Sequence, residues 1–143
     1  AGPLQELDAK KVRDVVLVNS YGGFLVAQRA TGPMLETGGG SLLFTGASAG
    51  VKGYANSSAF AMGKFALRGL CQSLARELSP QNIHVAHFVI DGLIRNDNRG
   101  APYNNPDTTL DPDQIARTYL GVVNQDRSAW TWEMELRPWV EKF

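Results

Sequence analysis

The eight-residue run Ile83–Ile90 (IHVAHFVI) constrains the fold of this chain more than any other feature. It is rich in β-branched and aromatic residues and contains no Lys, Arg, Asp or Glu. A second apolar run, residues 41–45 (SLLFT), is preceded by three glycines and followed by another. Short, continuous apolar runs are typical of strands buried on both faces of a sheet. We therefore expect two buried strands, each covered by other elements on both sides.

Helical patterns flank these runs. Apolar residues recur at helical intervals over 8–36, with Asp8 suited to the N-cap. A second helix is expected over 57–78, with Ser57 or Asn56 as its cap, and Ser79-Pro80 ends it. A third starts at Pro112, behind Asp111 as N-cap, and continues to about Val123. Three residues predict a weak or kinked first helix: Gly22, Gly23 and Pro33.

The end of the chain predicts a third strand. Trp130, Trp132, Met134 and Leu136 alternate with polar residues, which is the period of a strand with one apolar face, in the core or at a subunit interface. The order is then helix, strand, helix, strand, helix, strand, which indicates an α/β fold with a parallel sheet. Three strands are few for such a sheet, and the chain starts without Met. We expect an excised or processed fragment with further strands upstream.

Composition limits the partners. Fourteen basic and fourteen acidic residues cancel without long runs of either sign, so nothing favours nucleic acid or a membrane surface. No apolar run is long enough to span a bilayer. The single cysteine, Cys71, excludes an internal disulfide and favours a reducing cytoplasmic location. His84 and His87 are an odd number of residues apart on one strand, so they face opposite sides and share no metal. A small molecule or a protein partner remains.

The chemistry is concentrated in residues 40–96. Ala49-Gly50 follows the first strand, Phe60 and Lys64 are one helical turn apart, and the segment 91–96 (DGLIRN) follows the second strand. Upstream, residues 18–22 read VNSYG. With this order and spacing, the chain resembles the short-chain dehydrogenase/reductase family from about Leu4 to Asn96.

The resemblance implies a fold and an assembly. The fold is a Rossmann-like three-layer parallel sheet, of which residues 1–143 form the C-terminal half as a single partial domain. Residues 97–110 correspond to the variable substrate lid. The complete protein would act on a small carbonyl or alcohol with NAD or NADP. A homodimer or homotetramer would form through the helices 8–36 and 57–78.

The resemblance also assigns a site, in which two positions have changed. The family's Ser and Tyr fall on Ala47 and Phe60, so neither hydroxyl is present, while Asn19 and Lys64 remain at the other two catalytic positions. A phenol next to an ammonium is the group that exchanges a proton with the substrate oxygen, and Phe60 cannot do so. Ser48 would restore the hydroxyl if the alignment slipped by one residue. Cofactor contacts are implied for Lys64, Gly92, Ile94 and Asn96.

Other residues near the site have simpler interpretations. Tyr54 is ten residues before Lys64, too far to share its helix face, and is interpreted as a loop aromatic. Asp91 replaces the family's Pro and either disfavours an anionic cofactor or caps the turn after the strand. Arg68, Arg76 and Glu77 suggest a solvated or interface face of the second helix.

The segment 45–53 (TGASAGVKG) nearly spells the family's dinucleotide fingerprint. Lys52 breaks it, and the required helix does not follow at once, so we reject it as the cofactor site. The adenosine half of any cofactor site then lies outside this chain, which is expected to bind no cofactor alone. Two hypotheses remain: part of an NAD(P)-dependent oxidoreductase that is inactive by itself, or a pseudo-enzyme that serves as a nucleotide-binding or oligomerisation module.

Overall fold

A computed structural model describes residues 1–142 of the chain. The helices and strands, in chain order, are α1 (Ala9–Val16), α2 (Gly22–Glu36), β1 (Gly40–Thr45), α3 (Ser58–Leu78), β2 (Ile83–Ile90), β3 (Leu93–Ile94), β4 (Thr109–Leu110), α4 (Pro112–Val123) and β5 (Glu133–Leu136).

The strands β1, β2 and β5 form one parallel sheet in the order β1-β2-β5. Gly40 pairs with Ile83 at one end of the β1-β2 ladder, and His87 pairs with Glu133 where β5 begins. Both crossovers contain a helix, α3 between β1 and β2 and α4 between β2 and β5. The parallel α/β sheet predicted from the alternating pattern is confirmed.

The central strand β2 is buried along its whole length, which explains its unbroken apolar sequence. Its odd-numbered residues Ile83 and Val85 pack in a core with side chains of α2 and α3. Its even-numbered residues Ala86, Phe88 and Ile90 pack in a second core with side chains of α4. The sheet is therefore the middle of three layers, and its carboxyl end is open between them.

The first predicted helix is continuous but changes its winding. A π-helical turn, Leu17–Tyr21, separates α1 from α2 immediately before Gly22. Within it, the Asn19 side chain donates to the Val15 carbonyl at 2.9 Å and the Ser20 hydroxyl to the Val16 carbonyl at 2.7 Å. Side-chain donors thus bond to the carbonyls where the helix widens. The weakness predicted near the glycines corresponds to this turn.

The helix starts agree with the capping residues, with one exception. The Asp8 carboxylate accepts from the Lys11 N–H at 2.9 Å, and that of Asp111 from the Asp113 N–H at 2.9 Å. Ser57 is at the N-cap position of α3, yet its side chain makes no capping hydrogen bond.

The predicted strand at the chain's end was wrong in its extent. It begins at Glu133, because a 3₁₀ turn, Arg127–Ala129, and the bonds of Gln125 to Thr131 hold the preceding residues in another conformation. The Trp130 ring instead stacks on His84, with 4.6 Å between ring centroids. Trp132 packs against Arg68, and so it does not share one apolar face with Trp130.

Two further features were not predicted. β3 and β4 form a two-residue parallel ladder, with Leu93 opposite Thr109, that is too short to leave a periodic pattern. Arg68, predicted to be solvated or at an interface, instead forms a two-pronged ion pair with Glu133 at 2.7 and 2.8 Å.

Candidate functional site

A cleft of about 670 Å³ opens at the carboxyl ends of β1 and β2. In open parallel sheets, ligands bind beyond this end of the strands, where loops from different crossovers meet. The side chains and backbone around the cleft come from Thr45, Gly46, Ala47, Ser48, Tyr54, Phe60, Lys64, Ile90, Asp91, Gly92, Leu93, Ile94, Pro102, Thr108 and Glu141.

Lys64 on α3 contributes a cation to this cleft. Its Nζ atom donates to the Thr45 carbonyl at 3.0 Å, and burial lowers its pKa. No carboxylate is within ion-pairing distance of it among the described residues. The Phe60 ring, one helical turn earlier, has its centroid 5.7 Å from the same atom. The ammonium is therefore held in place by a neutral carbonyl and remains available to a ligand.

The loop after β1 brings both Ala47 and Ser48 to the cleft. Ala47 is extended, with φ −155° and ψ 164°, but the chain then turns into a 3₁₀ segment, Ser48–Gly50. Strand alternation would have turned Ser48 away, and the turn removes that constraint. A Cβ on Gly50 would lie 3.1 Å from the Lys64 carbonyl oxygen, so this loop packs directly on α3.

Asn19 lies on the other side of Lys64. A separate cavity of about 330 Å³ is bounded by Asn19, Thr45 and Lys64 among other residues. The π-helical turn packs tightly on α3, since a Cβ added to Gly63 would be 2.9 Å from that of Asn19. Lys64 thus borders both spaces, while Asn19 is not part of the larger cleft.

Some residues of the segment after β2 line the cleft, and others lie outside it. Asp91, Gly92 and Ile94 line the cleft, but Asn96 does not. The Asn96 side chain accepts from the Asn98 N–H at 3.1 Å and caps a short turn. Gly92 has φ +144°, and a Cβ there would approach Pro138 to 2.8 Å, so this position excludes a side chain.

Asp91 forms an ion pair, an arrangement that was not predicted. Asp91 is 4% exposed, and its Oδ2 atom is 3.3 Å from Arg137 Nη2. Its backbone N–H continues the sheet by donating to the Leu136 carbonyl at 2.8 Å. The sequence offered no signal for this pair, because the two residues are 46 positions apart. The negative charge at the cleft is offset by the guanidinium.

Tyr54 was interpreted as a loop aromatic. It does lie in the loop before α3, and that loop brings Tyr54 to the same cleft as Lys64. Ten residues separate Tyr54 from Lys64 along the chain, yet the fold brings both to one cleft at the end of the sheet.

A cluster of ionisable groups lies under the site, on the α3 face of the sheet. His87 is fully buried, and its Nδ1 atom is 2.9 Å from Glu133 Oε2. The Arg68 bonds hold the pKa of Glu133 below its usual value, and burial lowers the pKa of His87. His84 faces Trp130 and the Thr131 carbonyl instead.

Across residues 1–142, no three His, Cys, Asp or Glu side chains are grouped to hold a metal.

The glycine-rich segment 45–53 is not followed by a long helix. The three-residue turn Ser48–Gly50 comes first, and α3 begins only at Ser58. A helix therefore does not begin directly after the glycine-rich turn, as a pyrophosphate site requires. No helix in the described chain is both long and apolar enough to cross a bilayer.

Comparison with known proteins agrees with this architecture. A family profile described as short chain dehydrogenase matches residues 1–102. The uncharacterized oxidoreductase YciK of Escherichia coli K12 is 32% identical over 126 residues, which are 87% of this chain and 49% of that protein. A short-chain dehydrogenase structure from Rhodopseudomonas palustris superposes with a TM-score of 0.80 at 37% identity, covering 96% of this chain and 56% of the other.

A more distant structure shares the fold. The alcohol dehydrogenase of Thermococcus sibiricus, solved with 5-hydroxy-NADP, superposes with a TM-score of 0.82 at 19% identity, covering 99% of this chain and 62% of that one.

The three layers and the cleft at the strand ends define a Rossmann-like α/β fold. The chain belongs to the short-chain dehydrogenase family. It spans about half the length of the relatives that it matches.

Proposed function

We propose that this chain is the C-terminal half of an NAD(P)-dependent oxidoreductase that acts on a small carbonyl or alcohol, and that it is inactive alone. The observation that carries the proposal is Lys64, a half-buried ammonium without a carboxylate partner at the open end of a parallel sheet. Such a group binds the hydroxyls of a ribose and stabilises negative charge on a reacting oxygen.

The residues present fit one half of the cofactor. Lys64 would hold the nicotinamide ribose, and the backbone at Gly92 and Ile94 would border the nicotinamide ring. When bound, the nicotinamide supplies or accepts the hydride. The described chain has no glycine-rich turn at the start of a helix for the pyrophosphate, which supports weak or absent cofactor binding by this half. Asn96 is a less favourable contact because its side-chain oxygen already bonds to the Asn98 N–H.

The site positions follow from matching the chain to the family. We place Ala47 and Phe60 at the family's Ser and Tyr positions, with Ser48 as the hydroxyl nearest to the first. Asn19 would hold the water-linked proton path next to Lys64, since both border the smaller cavity. The lid assignment for 97–110 is supported by Pro102 and Thr108, which line the cleft.

The test compares this chain with the complete encoded protein, by titration of NADPH fluorescence. The complete protein should bind, this chain should bind at least about tenfold more weakly, and Lys64→Met should weaken binding by the complete protein. Lys10→Met, an exposed lysine on α1, is the matched control. Equal binding by both forms would contradict the assignment of the adenosine site to a missing half, and no binding by either would overturn the proposed function.

A second candidate function is a pseudo-enzyme, favoured by the lack of hydroxyls on Ala47 and Phe60. Restoring both in an Ala47→Ser, Phe60→Tyr double variant of the complete protein should then create reductase activity that the natural protein lacks. Turnover by the natural protein would exclude this candidate.

Self-association is a related proposal. The helices 8–36 and 57–78 expose apolar side chains, among them Val18, Val26, Met62 and Phe65 at 76, 69, 54 and 45% exposure. A surface of this kind favours a homodimer or homotetramer. Phe65→Glu should reduce the mass of the complete protein in analytical ultracentrifugation, whereas Lys10→Glu should not.

A further inference from the structure

The cleft contains one phenol, and it is not at the position where the family carries its tyrosine. Of the chain's four tyrosines, all within the described residues, only Tyr54 lines the cleft. Tyr119 is stacked on Phe88 and bonded to the Thr45 hydroxyl at 2.9 Å, so its hydroxyl is already engaged. Tyr54 is the phenol that a ligand in the cleft can reach.

The loop holds the Tyr54 backbone while leaving its ring accessible. The Tyr54 carbonyl accepts from the Ser57 N–H at 3.2 Å, and the Asn56 carbonyl from the Gly2 N–H at 2.8 Å. The residue is 45% exposed, and its hydroxyl makes no hydrogen bond to other groups in residues 1–142. The phenol is therefore free to bond to a substrate and to exchange protons with solvent.

One ammonium group lies near the ring of this phenol, and a second borders the same cleft. Lys52 Nζ is 5.6 Å from the centroid of the Tyr54 ring, and Lys64 borders the same cleft. Positive charges close to a phenol stabilise the phenolate that remains after proton transfer. Both lysines carry the positive charge that would stabilise Tyr54 after it has donated its proton.

The other ionisable groups of the cleft are poorer proton donors to a substrate. Asp91 is buried and already engaged in the ion pair with Arg137. Ser48 is a much weaker acid than a phenol and is suited to donating a hydrogen bond rather than a proton.

We propose that Tyr54 supplies the proton in carbonyl reduction at this cleft, with Lys64 and Lys52 stabilising the phenolate. The inference rests on the proposed function. The carbonyl carbon accepts a hydride from a reduced nicotinamide, which is oxidised, and the C=O π pair moves onto the oxygen. That oxygen takes the Tyr54 proton to give the alcohol, and the phenolate recovers a proton from water. The oxidation of an alcohol is the reverse.

The test uses the complete encoded protein, cyclohexanone as the probe ketone, and either NADPH or NADH. Tyr54→Phe should lower kcat by about 100-fold or more, the usual contribution of a positioned general acid, with cofactor affinity unchanged. Tyr21→Phe is the matched control, because that phenol is 53% exposed on the first helical segment and does not line the cleft. It should retain full activity.

A second readout does not depend on turnover. With ¹³C-labelled tyrosine, the Tyr54 Cζ resonance, assigned by its loss in Tyr54→Phe, should shift when cyclohexanone is added, while that of Tyr21 should not. Activity within about threefold of the natural protein in Tyr54→Phe would overturn the proposal. So would an unmoved Tyr54 resonance in a protein that turns over no ketone. Failure to bind nicotinamide, with the resonance still shifting, would count against the proposed function and not against the phenol's contact with the ketone.

Discussion

His87 and Glu133 are joined by a hydrogen bond of 2.9 Å that links the middle of β2 to the start of β5. His87 is fully buried, and its Nδ1 donates because a carboxylate oxygen only accepts. Arg68 on α3 donates two hydrogen bonds to the same carboxylate. One carboxylate therefore ties two strands and a helix together directly beneath the candidate site.

Glu133→Gln should destabilise the fold by about 1–3 kcal/mol, because it leaves a partly buried guanidinium without its counter-charge and weakens two charged hydrogen bonds. Urea unfolding would measure the loss. Glu77→Gln, on an exposed part of α3, is the control and should change the free energy of unfolding by less than about 0.5 kcal/mol. Equal stability of the two variants would show that the cluster contributes nothing.

The same cluster predicts a loss of stability in acid. Burial depresses the pKa of His87 below its ordinary 6.5, so the unfolded chain binds a proton first and stability falls as the pH drops below that value. The depressed pKa of Glu133 adds a second loss as the pH falls below 4.5. Unfolding free energies measured at intervals from pH 8 to 4 should decline in both windows.

The matched variant for this prediction is His87→Gln, whose amide can still donate to Glu133. It should lose the decline that begins near pH 6.5 and keep the one below 4.5. A natural protein whose stability is flat between pH 7 and 5 would contradict the role given to His87.

Gly46→Ala should disturb the junction between β1 and the cleft. A Cβ there would lie 2.1 Å from His87 Nε2 and 3.0 Å from the Phe88 carbonyl oxygen, so the buried imidazole would have to move. We expect a cost of about 1–3 kcal/mol or more. Gly53→Ala has no atom within 4 Å of the new methyl and should be nearly neutral. Similar melting temperatures for the two would be inconsistent with this packing.

Two glycines of α3 should respond in opposite directions. Gly63→Ala would place a Cβ 2.9 Å from that of Asn19 and should destabilise the contact with the π-helical turn by about 1–3 kcal/mol. Gly69→Ala adds a methyl with nothing within 4 Å and should stabilise the helix by about 0.5–1 kcal/mol. Thermal unfolding of both variants would measure these changes, and a shift of the same sign in both would argue against the packing of the π-helical turn on α3.

Local signals were enough to predict most of the fold. Neighbouring residues determine where several elements begin and end. Examples are the bounds of β2, the start of α4 at Pro112 after its Asp111 cap, and the end of α3 before Pro80. At Trp130 and Trp132 the alternation continues in the sequence but the strand does not. The turn Arg127–Ala129 and the bonds of Gln125 to Thr131 hold the backbone there in another conformation.

The candidate site was predictable only in part, for the same reason. The spacing of Phe60 and Lys64 on one helix face is a local property, and the structure places both at the cleft. The position of Tyr54 at the cleft and the ion pair between Asp91 and Arg137 both depend on how separate segments fold over the end of the sheet.

The sequence by itself determined the order of helices and strands, the double burial of β2 and the position of Lys64 on α3, since these follow from periodicity, capping and chain stiffness over a few residues. Tertiary structure alone decided that Arg68 meets Glu133 across 65 positions and that His87 meets it across 46. It also decided that the one phenol of the cleft comes from a loop. Contacts of that range are selected by the packing of the whole chain, which no local pattern encodes.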